Sequence, residues 1–212
     1  MLKEKKRGVL IVISSPSGAG KTTIAKKLVS KKLNIELSVS LTTRKPRSNE
    51  IDKVDYHFVS KKFFQTKIKQ KHFLEHAKVF DNFYGTGLET IEHHRNKGQN
   101  VLVELDVQGA KSLRMINYKA VFIFIMPPSL KELKSRLNKR ATESANSIQN
   151  RLEESKKEIQ QSTQYDYILT NFDAEKTTNN LYSIITAEQF REKRYQPSSP
   201  DIRDLIDKKE SN

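Results

Sequence analysis

The chain has 212 residues, 35% of them hydrophobic and 30% charged, with only 6 Pro and 7 Gly, which suits one folded domain with insertions and excludes a disordered or collagen-like chain. Cysteine is absent, so disulfide frameworks, thiolate zinc sites and cysteine nucleophiles are excluded together, and a reducing, cytoplasmic setting is the expectation. The 39 basic residues against 25 acidic ones leave a net charge of +14.

Such a basic excess first suggests an anionic partner: nucleic acid, a membrane surface or a phosphorylated metabolite. Lysines outnumber arginines 28 to 11, however, and residues such as Lys26, Lys27, Lys31, Lys61, Lys62, Lys67 and Lys69 are scattered like solvated helix faces. Readers of nucleic acid cluster arginine and aromatic side chains instead, so no nucleic-acid partner is expected. The basic start at residues 3–7 and the apolar run at 9–13 imitate a secretory signal, but the run is too short and Glu4 stands in front of it. Its longest rival, residues 120–126, falls well short of the ~18 apolar residues of a spanning helix. No membrane partner is expected either.

In chain order, residues 8–14 predict a buried strand, followed by a Gly-bearing loop and a helix with the apolar spacing Ile24, Ala25, Leu28, Val29. From about residue 37 to 97 the rhythm changes to short aromatic-rich segments, 56–59, 73–80 and 83–85, which predict an inserted subdomain of mixed strands. His93 and His94 are placed on an exposed helix. Apolar strands at 101–105, 120–125 and 167–169 then each precede a helical stretch, at 109–116, 130–137 and 176–190. Ser129 is expected to cap the second of these, with Glu132 at the capping-box position. The polar stretch 141–147 between two helices predicts a small helical lid, and residues 196–212 a tail. Continuous apolar strands alternating with helices imply an α/β fold whose mostly parallel sheet is covered on both faces.

Ser15-Pro16-Ser17-Gly18-Ala19-Gly20-Lys21-Thr22 matches a phosphate-binding loop except at its first position, where Ser15 replaces Gly. Gly18 and Gly20 let backbone N–H groups turn toward an anion, and the following helix adds its dipole. Lys21 is expected to reach the transferring phosphate and Thr22 to offer a magnesium ligand. The strand at 101–105 carries two carboxylates two residues apart at its C-terminal edge, Glu104 and Asp106, where ligands bind in open α/β folds. Those carboxylates can organise magnesium or its waters, or contact a second substrate.

After the phosphate loop come Val39-Ser40-Leu41-Thr42-Thr43-Arg44-Lys45-Pro46-Arg47, Glu50, Asp55-Tyr56-His57-Phe58, Phe73-Leu74-Glu75-His76-Ala77, Tyr84-Gly85-Thr86 and Asp106-Val107-Gln108-Gly109. In that order and spacing, from about residue 8 to 194, the chain resembles a guanylate kinase of the bacterial type. The resemblance implies a P-loop parallel sheet flanked by helices, divided into a core (8–36, 98–136, 152–195), an inserted GMP-binding part (37–97) and a lid (137–151). It implies transfer of the γ-phosphoryl group of ATP to GMP, with magnesium and with ATP and GMP as small-molecule partners. Arg44 and Arg47 with Tyr56 and Tyr84 would hold the GMP phosphate, as two guanidinium forks and two phenols suit a dianion. Ser40, Glu75 and Thr86 would face guanine, and Glu104 and Asp106 would lie beside the acceptor. Arg136, Arg140 and Arg151 would close over ATP with Lys21, and Asn171 would lie near the adenine. Ala141 and Phe172 depart from the family, where a Gly and an acid are common. Retained Lys21 and Thr22 argue against a binding module without catalysis.

Overall fold

The computed structural model describes residues 7–31, 33–47, 50–79, 81–139 and 145–191. Strand β1 (Leu10–Ser14) leads through the phosphate loop into helix α1 (Lys21–Ser30), and β2 (Ile35–Leu37) follows. The chain then builds β3 (Leu41–Thr42), β4 (His57–Phe58), α2 (Lys61–Lys69), β5 (Phe73–Val79), β6 (Asn82–Gly87) and α3 (Leu88–Asn96). It continues through β7 (Asn100–Glu104), α4 (Val107–Met115), β8 (Val121–Met126), α5 (Leu130–Lys139), α6 (Ala145–Gln160), β9 (Tyr167–Thr170) and α7 (Ala174–Glu188).

Five strands form one all-parallel sheet in the order β2-β7-β1-β8-β9. Alternate residues of β1 enter opposite layers of core. Ile11 and Ile13 pack with Ile24, Leu28, Leu181 and Ile185 from α1 and α7. Leu10 and Val12 pack with Ile91, Val101, Val103 and Leu113, under α3 and α4. A strand covered on both faces has no polar alternation, which is why β1 reads as an unbroken apolar run. Each such side chain contributes about 1.5–3 kcal/mol by leaving water. The register pairs Ile13 with Glu104 and Ser14 with Phe124, so the strands end along one edge where the loop leaves β1.

A second sheet, β4-β3-β6-β5, is mixed as expected: β3 and β4 are parallel, and β6 is antiparallel to both β3 and β5. Its support is aromatic, with fully buried Phe64 of α2 stacked on Phe73 and Phe83 at centroid distances of 4.5 and 5.5 Å. The Ser60 side chain accepts from the Phe63 N–H and so starts α2. Helix α4 begins earlier than the apolar pattern implied because Asp106 caps it, accepting from the Gly109 N–H at 2.7 Å. Ser129 caps α5 at 3.0 Å, but the Glu132 carboxylate turns to Arg136 Nε at 2.9 Å, so the capping box is only half made. His93 is exposed as expected, whereas His94 is half-buried with its Nδ1 against Gln99. Among the described residues, no helix is long and apolar enough to cross a membrane. Ala141 and the tail at 196–212 lie outside the described residues.

Candidate active site

The phosphate loop turns through Gly18 and Gly20, whose φ values of 92° and 99° are left-handed. A Cβ on Gly20 would also come within 2.5 Å of Asn171 Nδ2, so only glycine fits there. The Ser15 hydroxyl, at the departing first position, donates to the Pro16 carbonyl at 3.0 Å and is thereby satisfied in a buried setting. Asn171, just past β9, is buried with both ends of its amide in use: Nδ2 donates to the Ala19 carbonyl at 2.7 Å, and Oδ1 accepts from Thr177 Oγ1 at 3.2 Å. Arg136 reaches across from α5, with Nη1 and Nη2 each 3.5 Å from the carbonyls of Ala19 and Asn171.

Asn171 thus buttresses the loop in addition to any contact with nucleotide. Asn171→Ala leaves the buried Ala19 carbonyl without its closest donor and should destabilise the fold by about 1–3 kcal/mol, measured by urea unfolding at unchanged m.

Lys21 Nζ donates to the Leu105 carbonyl at 2.9 Å, and Thr22 Oγ1 donates to Glu104 Oε2 at 2.9 Å. Thr22 and Glu104 offer hard oxygen donors, which fit Mg²⁺, an ion that keeps several waters and takes the rest of its shell from phosphates. Asp106 stands one residue past Leu105 as the cap of α4, beyond the strand proper.

These residues open onto a cavity of about 220 Å³ whose walls bring together Lys21, Ser40, Tyr56, Glu75, Tyr84, Glu104 and Asp106. Thr86 lies behind Glu75, its Oγ1 2.7 Å from Glu75 Oε1 and 3.3 Å from Ser40 Oγ. Arg44 makes a two-pronged pair with Glu50 at 2.8 and 2.9 Å, and its guanidinium lies 5.6 Å over the Tyr56 ring. Tyr84 meets Tyr56 edge-on at 6.1 Å. Burial raises the Tyr56 hydroxyl above the usual phenol range, keeping it a donor. Arg47 is exposed, and its backbone N–H donates to Glu50 at 2.8 Å.

Burial, with Asp106 adding repulsion, pushes the Glu75 carboxyl up to about 7, against the partial relief of its bond from Thr86. A Cβ on Gly109 would lie 3.2 Å from Glu75 Oε2, so the start of α4 closes tightly on that carboxyl. A folded-state value raised above the ordinary 4.5 means that Glu75's contribution to stability is fully present below about 4.5 and is lost as pH rises through about 7. Glu75→Gln removes this titration. Relative to wild type, the variant should gain on the order of 2–3 kcal/mol between pH 4.5 and 8, read by denaturant unfolding across that range.

Arg151, on α6, donates to Ser17 Oγ of the loop. Arg140 lies outside the described residues. Glu50, quoted among the motif residues without a role, holds Arg44, while two residues escaped the sequence reading of the site: Thr177, which holds Asn171, and Glu158 on α6, whose carboxyl feels Lys21 and Asp106. Only Glu158 carried a local signal, standing seven residues after Arg151 and hence on the same helix face.

A parallel sheet, a phosphate loop seated on α1 and a facing cavity lined by acids, phenols and Lys21 define a P-loop nucleotide phosphotransferase. The chain belongs to the guanylate kinase family, whose sequence model matches residues 7–188. It is 46% identical to the guanylate kinase of Rickettsia bellii over 185 residues, 87% of this chain and 97% of that protein. It is 45% identical to that of Wolbachia pipientis over 198 residues, 93% and 98% of the two chains. The crystal structure of guanylate kinase from Anaplasma phagocytophilum superposes with a TM-score of 0.76 at 37% identity, covering 95% of each chain.

Proposed function

We propose that this protein transfers the γ-phosphoryl group of ATP to GMP, and to dGMP, giving ADP and the nucleoside diphosphate, within cytoplasmic purine nucleotide metabolism. The observation that carries the acceptor is Glu75, held by Thr86 in the same cavity as Lys21. A carboxylate accepts from both N1–H and the exocyclic amine of guanine, whereas adenine presents an acceptor at N1. Thr86 and Ser40 orient that carboxylate and add hydroxyls along the base edge.

Arg44, Arg47, Tyr56 and Tyr84 then hold the acceptor's phosphate, with Arg44 exchanging Glu50 for it. Lys21 leaves the Leu105 carbonyl to follow the transferring group, and Arg136, Arg140 and Arg151 neutralise charge on its oxygens as water is excluded. Thr22 and Glu104 would hold Mg²⁺, which when bound supplies charge neutralisation between the donor's phosphates. Asp106 stays close to the acceptor as a fixed acid. Binding of the base favours ionised Glu75, since only that form offers two acceptors.

In this reading, residues 37–97 form the acceptor-binding part and 137–151 the lid over a core made of the rest. The test is ADP release coupled to NADH oxidation, with GMP, dGMP, AMP, CMP and UMP as acceptors. Turnover with GMP and dGMP above the others is expected; equal turnover with AMP or none with GMP would overturn the assignment.

A further inference from the structure

Helix α1 turns its faces to different tasks. Ile24, Ala25 and Leu28 are buried in the core, while Lys27, with Lys31 at the helix end, reaches Glu175 of α7. Thr22 and Lys26, one turn apart, share another face. Thr22 Oγ1 meets Glu104 beside the cavity, and Lys26 Nζ donates to Asp55 Oδ1 at 2.6 Å. Among the described residues, that is the one hydrogen bond joining residues 50–56 to the core.

Loop 50–56 is otherwise tied to its own part of the chain. Asp55 Oδ2 accepts from the Ile51 N–H at 2.9 Å, the Asp55 N–H donates to the Ile51 carbonyl at 3.0 Å, and the Lys53 N–H donates to the Tyr56 carbonyl at 2.8 Å. Lys53 takes a left-handed φ of 66°, which a lysine rarely adopts, so the turn is kept by these bonds against the residue's own preference. At the two ends of the loop stand Glu50, forked to Arg44, and Tyr56, on the cavity wall edge-on to Tyr84.

We propose that Lys26 is a positioning residue for the acceptor nucleotide: through Asp55 it fastens loop 50–56 to the helix that follows the phosphate loop, and so fixes Tyr56 relative to Lys21. The proposal rests on the phosphotransfer reading above. One rigid helix then carries both the group that follows the transferring phosphoryl and the strut that sets where the acceptor's phosphate is held. The strut acts before chemistry. It raises the fraction of molecules whose loop already stands in the acceptor-holding position, and a bound acceptor then keeps the loop there by its own contacts. Its effect therefore falls on KM for the acceptor and not on kcat. The Lys26 side chain is 54% exposed and that of Asp55 16%, so the pair avoids a heavy desolvation cost and acts with the strength of an exposed ion pair.

The test measures kcat, KM for GMP and KM for ATP at low salt in wild type, Lys26→Met, Asp55→Asn, their double variant, Lys26→Arg and Lys27→Met. Lys26→Met should raise KM for GMP about three- to fivefold, the upper range of an exposed pair, with kcat and KM for ATP within about twofold of wild type. Asp55→Asn keeps an acceptor for the Ile51 N–H while losing the charge, and should show the same split; it also reads the pair on its own should Lys26→Met fail to fold. The double variant should be no worse than either single one, because both changes break one contact. Lys26→Arg retains the charge and should return KM for GMP to within about twofold of wild type. Lys27→Met removes an equal charge from the same helix but away from the loop, and should leave KM for GMP within about twofold. An unchanged KM for GMP in Lys26→Met or Asp55→Asn, additive rises in the double variant, a loss confined to kcat, or an equal rise in Lys27→Met would overturn the role. Wild type without turnover on GMP would instead remove the phosphotransfer reading, and the positioning role with it.

Discussion

Glu75→Gln should lower kcat/KM for GMP steeply while leaving AMP poor, so that the preference for GMP over AMP collapses. Sites built around buried hydrogen bonds reject an analogue lacking the partner by ~10⁴–10⁵, against ~10–200 for a missing methylene in an apolar pocket. The Glu75 carboxyl is placed for such a role, braced by Thr86 on one oxygen and approached closely by Gly109 on the other. Glutamine keeps the shape and can still accept from Thr86, but its remaining amide is a donor that faces the donors of guanine. AMP, by contrast, loses a repulsive neighbour. Steady-state kinetics with both nucleotides and both proteins decide the matter, and an unchanged GMP-to-AMP ratio would leave base selection to Ser40 and Thr86.

The second large effect concerns Lys21. Lys21→Met should preserve the fold and lower kcat by at least ~10²-fold, the usual cost of one donor aimed at transition-state charge. Stability should move little, because the lost ammonium takes with it a single bond to the Leu105 carbonyl and the methionine stem packs in the same place. GMP affinity measured by calorimetry should persist. Turnover near the wild-type value would show that the loop does not serve phosphoryl transfer in this protein.

What could be read in advance divides by range. The phosphate loop was legible because its determinants are local: two glycines with positive φ, a strand before and a helix after. The parallel core was legible as well, since strands buried on both faces lose their polar alternation. Strands β3 and β4, two residues each, are too short for any period and exist through pairing with β6 and with one another. Helix α2 was hidden by its neighbouring phenylalanines, of which Phe64 is buried and Phe63 exposed. Glu75 came into view only through the resemblance, because its setting depends on Thr86 of β6 and on Asp106 and Gly109 at the start of α4, and on a register irregularity between Phe73 and Glu75. Glu158 stood further out of reach, since the charges that act on its carboxyl, Asp106 and Lys21, come from the first half of the chain. The double use of the Asn171 amide likewise needs Ala19 and Thr177 brought together by the fold.

The fork between Arg44 and Glu50 bears on residence time. A guanidinium that already holds a carboxylate on both prongs, with Glu50 also fixed by the Arg47 N–H, gives up one anion as it takes another. Such an exchange leaves the arginine's rotamer settled throughout, and it returns much of the Coulomb energy that a solitary cation would have added to affinity. Phosphate recognition of this kind is quick to form and quick to undo. For an acceptor that must arrive as a monophosphate and depart as a diphosphate, a counter-ion waiting six residues away keeps the exit as open as the entrance.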